Sequence, residues 1–454
     1  MNSNLWIQVS TFDLDEPVSE YGFSTRLAWE NQWTADFTQK AILEYKKFMY
    51  LAGTSGEMVS PSPIVDLVWH QHLLFSESYT ALCTLIGKSI KHVPSTHNQT
   101  DAAKFKQAAE QTEKLYLQEF GEQPPGIWTD KSHFDSLHLP RAKWDVATFS
   151  QLSVLAFIVL VFPAYFLLKP LYIHLNNPGF LYGYGAIFAL VMIFLYNYNQ
   201  DGLRKIVNSF AATAYVRHLC PAELVYLKTQ DLSSVIHGCV DRLIKDEKIV
   251  VNRDQTLQLA AGIQAATAAE ATIFQAINTG RITYPVLLKI LVRKPVFTTI
   301  ANSMDAFRSF FIRSKDFGSL YYRNVYILLF MLMLGVVRLL TGLVRQKPVV
   351  LIFLMVFLGV IAVAVFLRNL TNLFCTSTLT ELYRTEIFRA SQHGTAPAAW
   401  EYFLYGTVVL SPVFIPVVVL AGDSGGSADG GGGGGDGGGG SSCGSSCGGC
   451  GGGD

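Results

Sequence analysis

Two hydrophobic rhythms divide the chain. Up to about residue 130, apolar positions recur at helical spacing with polar residues between them; beyond that come long runs almost free of charge. In residues 37–51, Ile42, Tyr45, Phe48 and Met49 fall on one helical face with lysines between them. A second helix is predicted from Ser62 as N-cap, with Pro63 in the first turn, through the stretch VDLVWHQH and on to Gly87. A third covers 100–120, where Gly121 supplies a C-terminal stop.

The second rhythm predicts membrane helices at 150–169, 178–198, 324–344, 348–368 and 402–421. Each holds enough apolar residues to cross the ~30 Å of bilayer hydrocarbon. Tyr172, Tyr196, Tyr198, Tyr321, Tyr322 and Tyr402 mark their ends, as interfacial aromatics do. Pro412 and Pro416 lie inside the fifth, so a kinked or re-entrant course stays open for it. Arg338 lies within the third span, near enough to its end to reach the interface.

Between the second and third spans, residues 199–323 form a largely polar insert. Residues 220–259 read as helix, helix, strand, turn, strand, a winged-helix-like α/β pattern. The expected fold class is therefore mainly α: an integral membrane protein of about five spans, with a helical N-terminal domain (1–145), the inserted domain and a linker at 369–401. Residues 422–454 are more than half glycine, too poor in side chains to form a core, and read as a disordered tail.

Charge refines this picture. Charged residues make up 15% of the chain against a usual ~25%, as expected of a membrane protein. Lys and Arg balance Asp and Glu at 35 each. Within the insert, Lys228, Arg242, Lys245, Lys248 and Arg253 are matched by Glu223, Asp231, Asp241, Asp246, Glu247 and Asp254. The basic footprint of a nucleic-acid binder is absent, so no nucleic-acid partner is expected. Arg141, Lys143, Arg204, Lys205, Arg217, Arg313, Lys315, Arg323, Arg368, Arg384 and Arg389 fall on one side of the predicted spans, and Lys169, Arg345 and Lys347 on the other. The positive-inside rule then makes the N-terminal and inserted domains cytoplasmic and, with a fifth crossing, puts the tail outside. The N-terminus has no secretory signal pattern.

Candidate chemistry gathers at VDLVWHQH. Residues two apart on a helix point in nearly opposite directions, so His70 and His72 do not share a metal there. Residues four apart share a face, which pairs Asp66 with His70, and Leu73 and Glu77 continue that stripe. Asp66, His70, Glu77 and His92 make a candidate divalent-metal set. The competing reading is a buried helix whose His70 simply hydrogen-bonds Asp66. Cys443, Cys447 and Cys450 in the tail are candidate thiols for a soft metal, a cross-link or a lipid, while Cys83, Cys220, Cys239 and Cys375 read as buried thiols. No Walker A loop, GxSxG or GxGxxG-after-strand pattern occurs.

Residues 20–130 resemble the glycine-rich domain-containing protein family, through Asp66, Trp69, His70, His72, His92, Phe120-Gly121 and Pro124-Pro125. The resemblance implies a helical domain in which Trp69, His72, Gly121, Pro124 and Pro125 are structural, and it implies no activity. Residues 150–454 resemble a bacterial family of membrane proteins of unknown function, through 219–227 (LCPAELVYL) and the Gly/Cys-rich tail. That resemblance implies a bacterial inner membrane. The leading expectation is a non-enzymatic assembly, envelope-interaction or signalling component, whose partners are the lipid bilayer and other proteins. The alternative is a metal-dependent enzyme or sensor using the Asp/His cluster.

Overall fold

The computed structural model describes residues 3–92, 99–175, 177–211, 213–278, 280–392 and 398–425. The N-terminal domain comprises α1 (Ser3–Thr11), α2 (Phe23–Asn31), α3 (Ala35–Thr54), α4 (Pro63–Leu73), α5 (Ser76–Ile86), α6 (Gln99–Phe120) and the short α7 (Pro125–Trp128). Its core is built on α3, whose Ile42, Tyr45, Phe48 and Met49 are all buried, as their spacing predicts. Gly121 ends α6 with φ +85°, a left-handed conformation that a side chain disfavours, and Pro124-Pro125 open α7.

One helix expected over residues 62–87 is two. The chain leaves helical geometry at Phe75 (φ −97°, ψ 63°), so α4 and α5 meet at a corner. Both expected termini are present: the Ser62 hydroxyl accepts the Val65 N–H at 3.2 Å, and Gly87 closes α5 at φ +79°.

The long apolar helices α8 (Val146–His174) and α9 (Asn177–Phe210) come next. Then follow α10 (Ala214–Arg217), α11 (Pro221–Thr229), α12 (Leu232–Lys245), β1 (Ile249–Val251), β2 (Thr256–Leu259), α13 (Ala268–Ile277), β3 (Ile282–Thr283), α14 (Tyr284–Leu291) and α15 (Pro295–Ile312). The three strands form one antiparallel sheet in the order β1-β2-β3, with Ile249 opposite Leu259 and Leu257 opposite Ile282. The chain continues through α16 (Lys315–Val344), α17 (Val350–Leu373), a π-helical turn (Phe374–Leu379), α18 (Thr380–Gln392), α19 (Ala398–Tyr405) and α20 (Ile415–Gly425).

Among the described residues, four helices are long and apolar enough to cross a membrane: α8, α9, α16 and α17 with its continuation. Large apolar side chains such as Val159, Phe162 and Leu167 on α8 and Leu351 and Phe353 on α17 face outward. A belt of this kind is stable in hydrocarbon, where helices satisfy their own backbone. α16 is the most buried of the four. It is tied to α9 by a reciprocal amide pair, Asn199 to Asn324 at 2.9 Å and back at 2.7 Å, and by the Tyr184 hydroxyl donating to the Met331 carbonyl at 3.1 Å. Arg338 reaches from within α16 to the end of α8. It is buried, and its guanidinium donates to the Tyr172 and Leu175 carbonyls at the C-terminal end of α8, where a cation meets the negative end of the helix dipole.

The stretch expected as a fifth span, residues 402–421, is not one helix. It divides into α19, a 3-10 turn at Gly406–Val409 and α20, with Pro412 in the break. Phe403 and Leu404 are buried against α11, and Leu410, Phe414 and Val417 join the core of the inserted domain with Tyr284 and Leu287. Asp241 accepts the Ser411 N–H at 2.7 Å. The apolar run is the lid of the inserted domain's core, and the last described residues lie on the same side of the spans as the N-terminal domain.

The N-terminal domain sits on the inserted one. α2 packs along α15, Lys294 pairs with Glu20 at 2.8 Å, and the buried Glu223 carboxylate accepts the N–H groups of Ala35 (2.9 Å) and Cys220 (2.8 Å).

Candidate metal centre

On α4, a buried face of Ile64, Val65, Val68, Trp69 and His72 packs into the domain. The opposite face carries the half-buried Asp66 and the exposed His70, one turn apart. The segment after α5 returns His92 to this face. Tyr79 positions that return, its hydroxyl accepting from Trp69 Nε1 at 3.1 Å and donating to the Ile90 carbonyl at 2.5 Å. Lys88 adds a second tie through the Ala52 and Ser55 carbonyls, at 2.8 and 2.9 Å.

As a result, His92 Nε2 lies 3.0 Å from Asp66 Oδ1, and His70 Nδ1 lies 3.8 Å from Asp66 Oδ2. The two imidazoles are 4.4 Å apart, and the Trp69 ring packs edge-on against His92 at 4.6 Å. One ligand atom from each of Asp66, His70 and His92 falls within 4.8 Å of the others. Ligands about 2.1 Å from a tetrahedral ion are themselves about 3.4 Å apart, so closure on a cation needs only small side-chain rotations. The donor set, one carboxylate and two imidazoles, suits zinc, iron or manganese and leaves coordination positions open. Asp66 and His92 border a cleft of about 600 Å³, also lined by Lys88, Lys91, Lys104 and Glu57.

Glu77, expected in the same set, is elsewhere. The corner at Phe75 turns it away from the α4 stripe, to line a depression with Phe12, Thr80 and Thr84. His72 is fully buried and both ring nitrogens are engaged, Nδ1 with the Tyr45 hydroxyl at 2.8 Å and Nε2 with the Ser78 hydroxyl at 3.1 Å. Burial holds its pKa down at about 4, so it is neutral and has no free lone pair for a metal. Burial likewise pushes the Tyr79 hydroxyl up to about 12 and the Tyr45 hydroxyl well above its ordinary value. The closer partner of Asp66 is His92, not the His70 that helical spacing picks out. Cys443, Cys447 and Cys450 lie outside the described residues.

A second polar knot escapes the sequence pattern. Glu44, only 4% exposed, accepts from the Tyr116 hydroxyl and Trp128 Nε1, each at 2.7 Å, and pairs with Lys47 at 2.7 Å. A carboxylate on the apolar stripe of α3 is the one available signal. The knot holds α6 and α7 to α3, and all its hydrogen-bonding groups are engaged within the protein.

The chain matches no known protein family, no curated protein and no solved structure.

Proposed function

We propose that this protein is a non-enzymatic signalling or assembly component of a membrane, with a divalent-metal site in its N-terminal domain as its input. The observation that carries this reading is the convergence of Asp66, His70 and His92 from two separate segments, with ligand atoms within 4.8 Å of one another. Two further features support it. The ligands sit at a cleft rather than in a sealed core, so an ion has a path to them. The domain that bears them is joined to the membrane-anchored part through Glu223 and α15, so the site is mechanically continuous with the spans.

The charge distribution supports an orientation with the N-terminal and inserted domains in the cytoplasm, and the resemblance of residues 150–454 supports a bacterial inner membrane. Under this reading Asp66, His70 and His92 would hold the ion, which would tie α4 to the segment after α5.

Elemental analysis of the purified full chain tests the reading. The protein carries Cys443→Ser, Cys447→Ser and Cys450→Ser to silence the tail, and is stripped with chelator and reloaded separately with zinc, iron and manganese. About one equivalent of one of these ions is expected, lost in the His70→Ala/His92→Ala variant. A folded protein that retains none of the three overturns the proposal.

A further inference from the structure

The place where α8 and α16 enter the bilayer carries two features that the metal reading does not use. The first is a cluster of charge. Residues 140–142 run beside the start of α16: Arg141 bridges to Ser314, the Ala142 N–H donates to the Arg313 carbonyl at 2.9 Å, and the Lys315 N–H donates to the Pro140 carbonyl at 2.7 Å. This pairing gathers the exposed Arg141, Lys143, Arg313 and Lys315 from two distant segments. Within these two segments Asp145 and Asp316 oppose them, and Asp145 is engaged with Arg313 at 3.7 Å.

The second feature is an apolar groove of about 320 Å³ between α8 and α16. It begins at Trp144, inside the basic cluster, and passes Phe149, Ala156 and Leu160 on one wall and Tyr326 and Met333 on the other. From Phe149 to Leu160 the helix rises about 16 Å, roughly half the ~30 Å hydrocarbon thickness. The groove thus spans one leaflet, the depth that a single acyl chain occupies. The Tyr322 hydroxyl donates to the Trp144 carbonyl and fixes the groove's upper end against α16.

We propose that this surface is a binding site for one anionic glycerophospholipid, with an acyl chain in the α8–α16 groove and the phosphate against Arg141, Lys143 and Lys315. The continuity of basic cluster and groove through Trp144 carries the assignment: either feature alone is ordinary at a membrane surface, and together they match the two halves of one amphiphile. The expected contribution of the cations is electrostatic and falls with salt.

The test is quenching of Trp144 in the full chain reconstituted into bilayers containing brominated-acyl phosphatidylglycerol or brominated-acyl phosphatidylcholine, with the Trp144→Phe variant subtracted to isolate that residue. Half-maximal quenching is expected at a several-fold lower mole fraction of phosphatidylglycerol than of phosphatidylcholine. In the Arg141→Gln/Lys143→Gln/Lys315→Gln variant, with circular dichroism unchanged, the two lipids should quench equally. Equal quenching in the unmodified protein would mean bulk lipid only and would overturn the proposal, as would a preference that survives loss of the three cations. Shielding of Trp144 from both lipids by self-association overturns it in favour of a protein interface.

Discussion

The carboxylate of Glu223 accepts the backbone N–H of Ala35 at 2.9 Å, joining residues 188 positions apart. Ala35 is the first residue of α3, and Cys220, whose N–H Glu223 also accepts, is the N-cap of α11. One side chain therefore caps two helices from two domains. Removing it in Glu223→Ala takes the acceptor from two part-buried N–H groups, at about 0.5–1.5 kcal/mol for each hydrogen bond lost. Hydrogen exchange should accelerate at both residues 35–38 and residues 221–224 in that variant. Acceleration confined to α11 would show that the capping of α3 contributes nothing.

His72 and His133 make the fold acid-labile. Burial holds each at about 4 against an ordinary 6.5, the effect on His133 being partly offset by Asp135. The unfolded chain takes up these protons first, so stability is complete above about pH 6.5 and is lost as pH falls toward 4. A shift of this size corresponds to about 3 kcal/mol for each residue. His133 Nε2 has no hydrogen-bond partner, so His133→Phe removes its share of this dependence without breaking a bond at that atom. Thermal unfolding from pH 7 to 5 should show a shallower decline in the variant; an unchanged slope would remove His133 from the account.

The two histidines of Trp69-His70-Gln71-His72 should separate cleanly by experiment. His72→Ala leaves the Tyr45 and Ser78 hydroxyls without their ring partner and opens a buried cavity, costing about 2–4 kcal/mol. It should leave the metal stoichiometry intact once folded protein is isolated. His70→Ala, on an exposed position, should barely change the unfolding temperature yet weaken metal retention. The opposite pattern would place the ion at His72.

Arg338→Met probes the bundle. It frees the Tyr172 and Leu175 carbonyls and removes a guanidinium packed on the Tyr172 and Phe180 rings. A loss of about 1–3 kcal/mol is expected in detergent unfolding, with partial recovery in Arg338→Lys. Full stability in Arg338→Met would mean that the end of α8 needs no cation.

Much of this architecture is written in local pattern. The buried stripe of α3, the N-cap at Ser62, the stops at Gly87 and Gly121 and the four spans all follow from spacing and from residues with strong backbone preferences. What sequence left open depends on distant partners. The apolar run at 402–421 has membrane composition, and only its packing against Tyr284 and Leu287 distinguishes a lid from a span. The turn at Phe75 carries no glycine or proline, so nothing local announces that Glu77 leaves the α4 stripe. The approach of His92 to Asp66 is likewise a matter of the Tyr79 and Lys88 tethers, which periodicity does not encode.

The folding of α19 and α20 onto the inserted domain has a chemical corollary. With four candidate spans, residues 415–425 lie on the side of the spans that bears Asp66, His70 and His92, so this segment and that cluster meet the same ions and the same redox buffer.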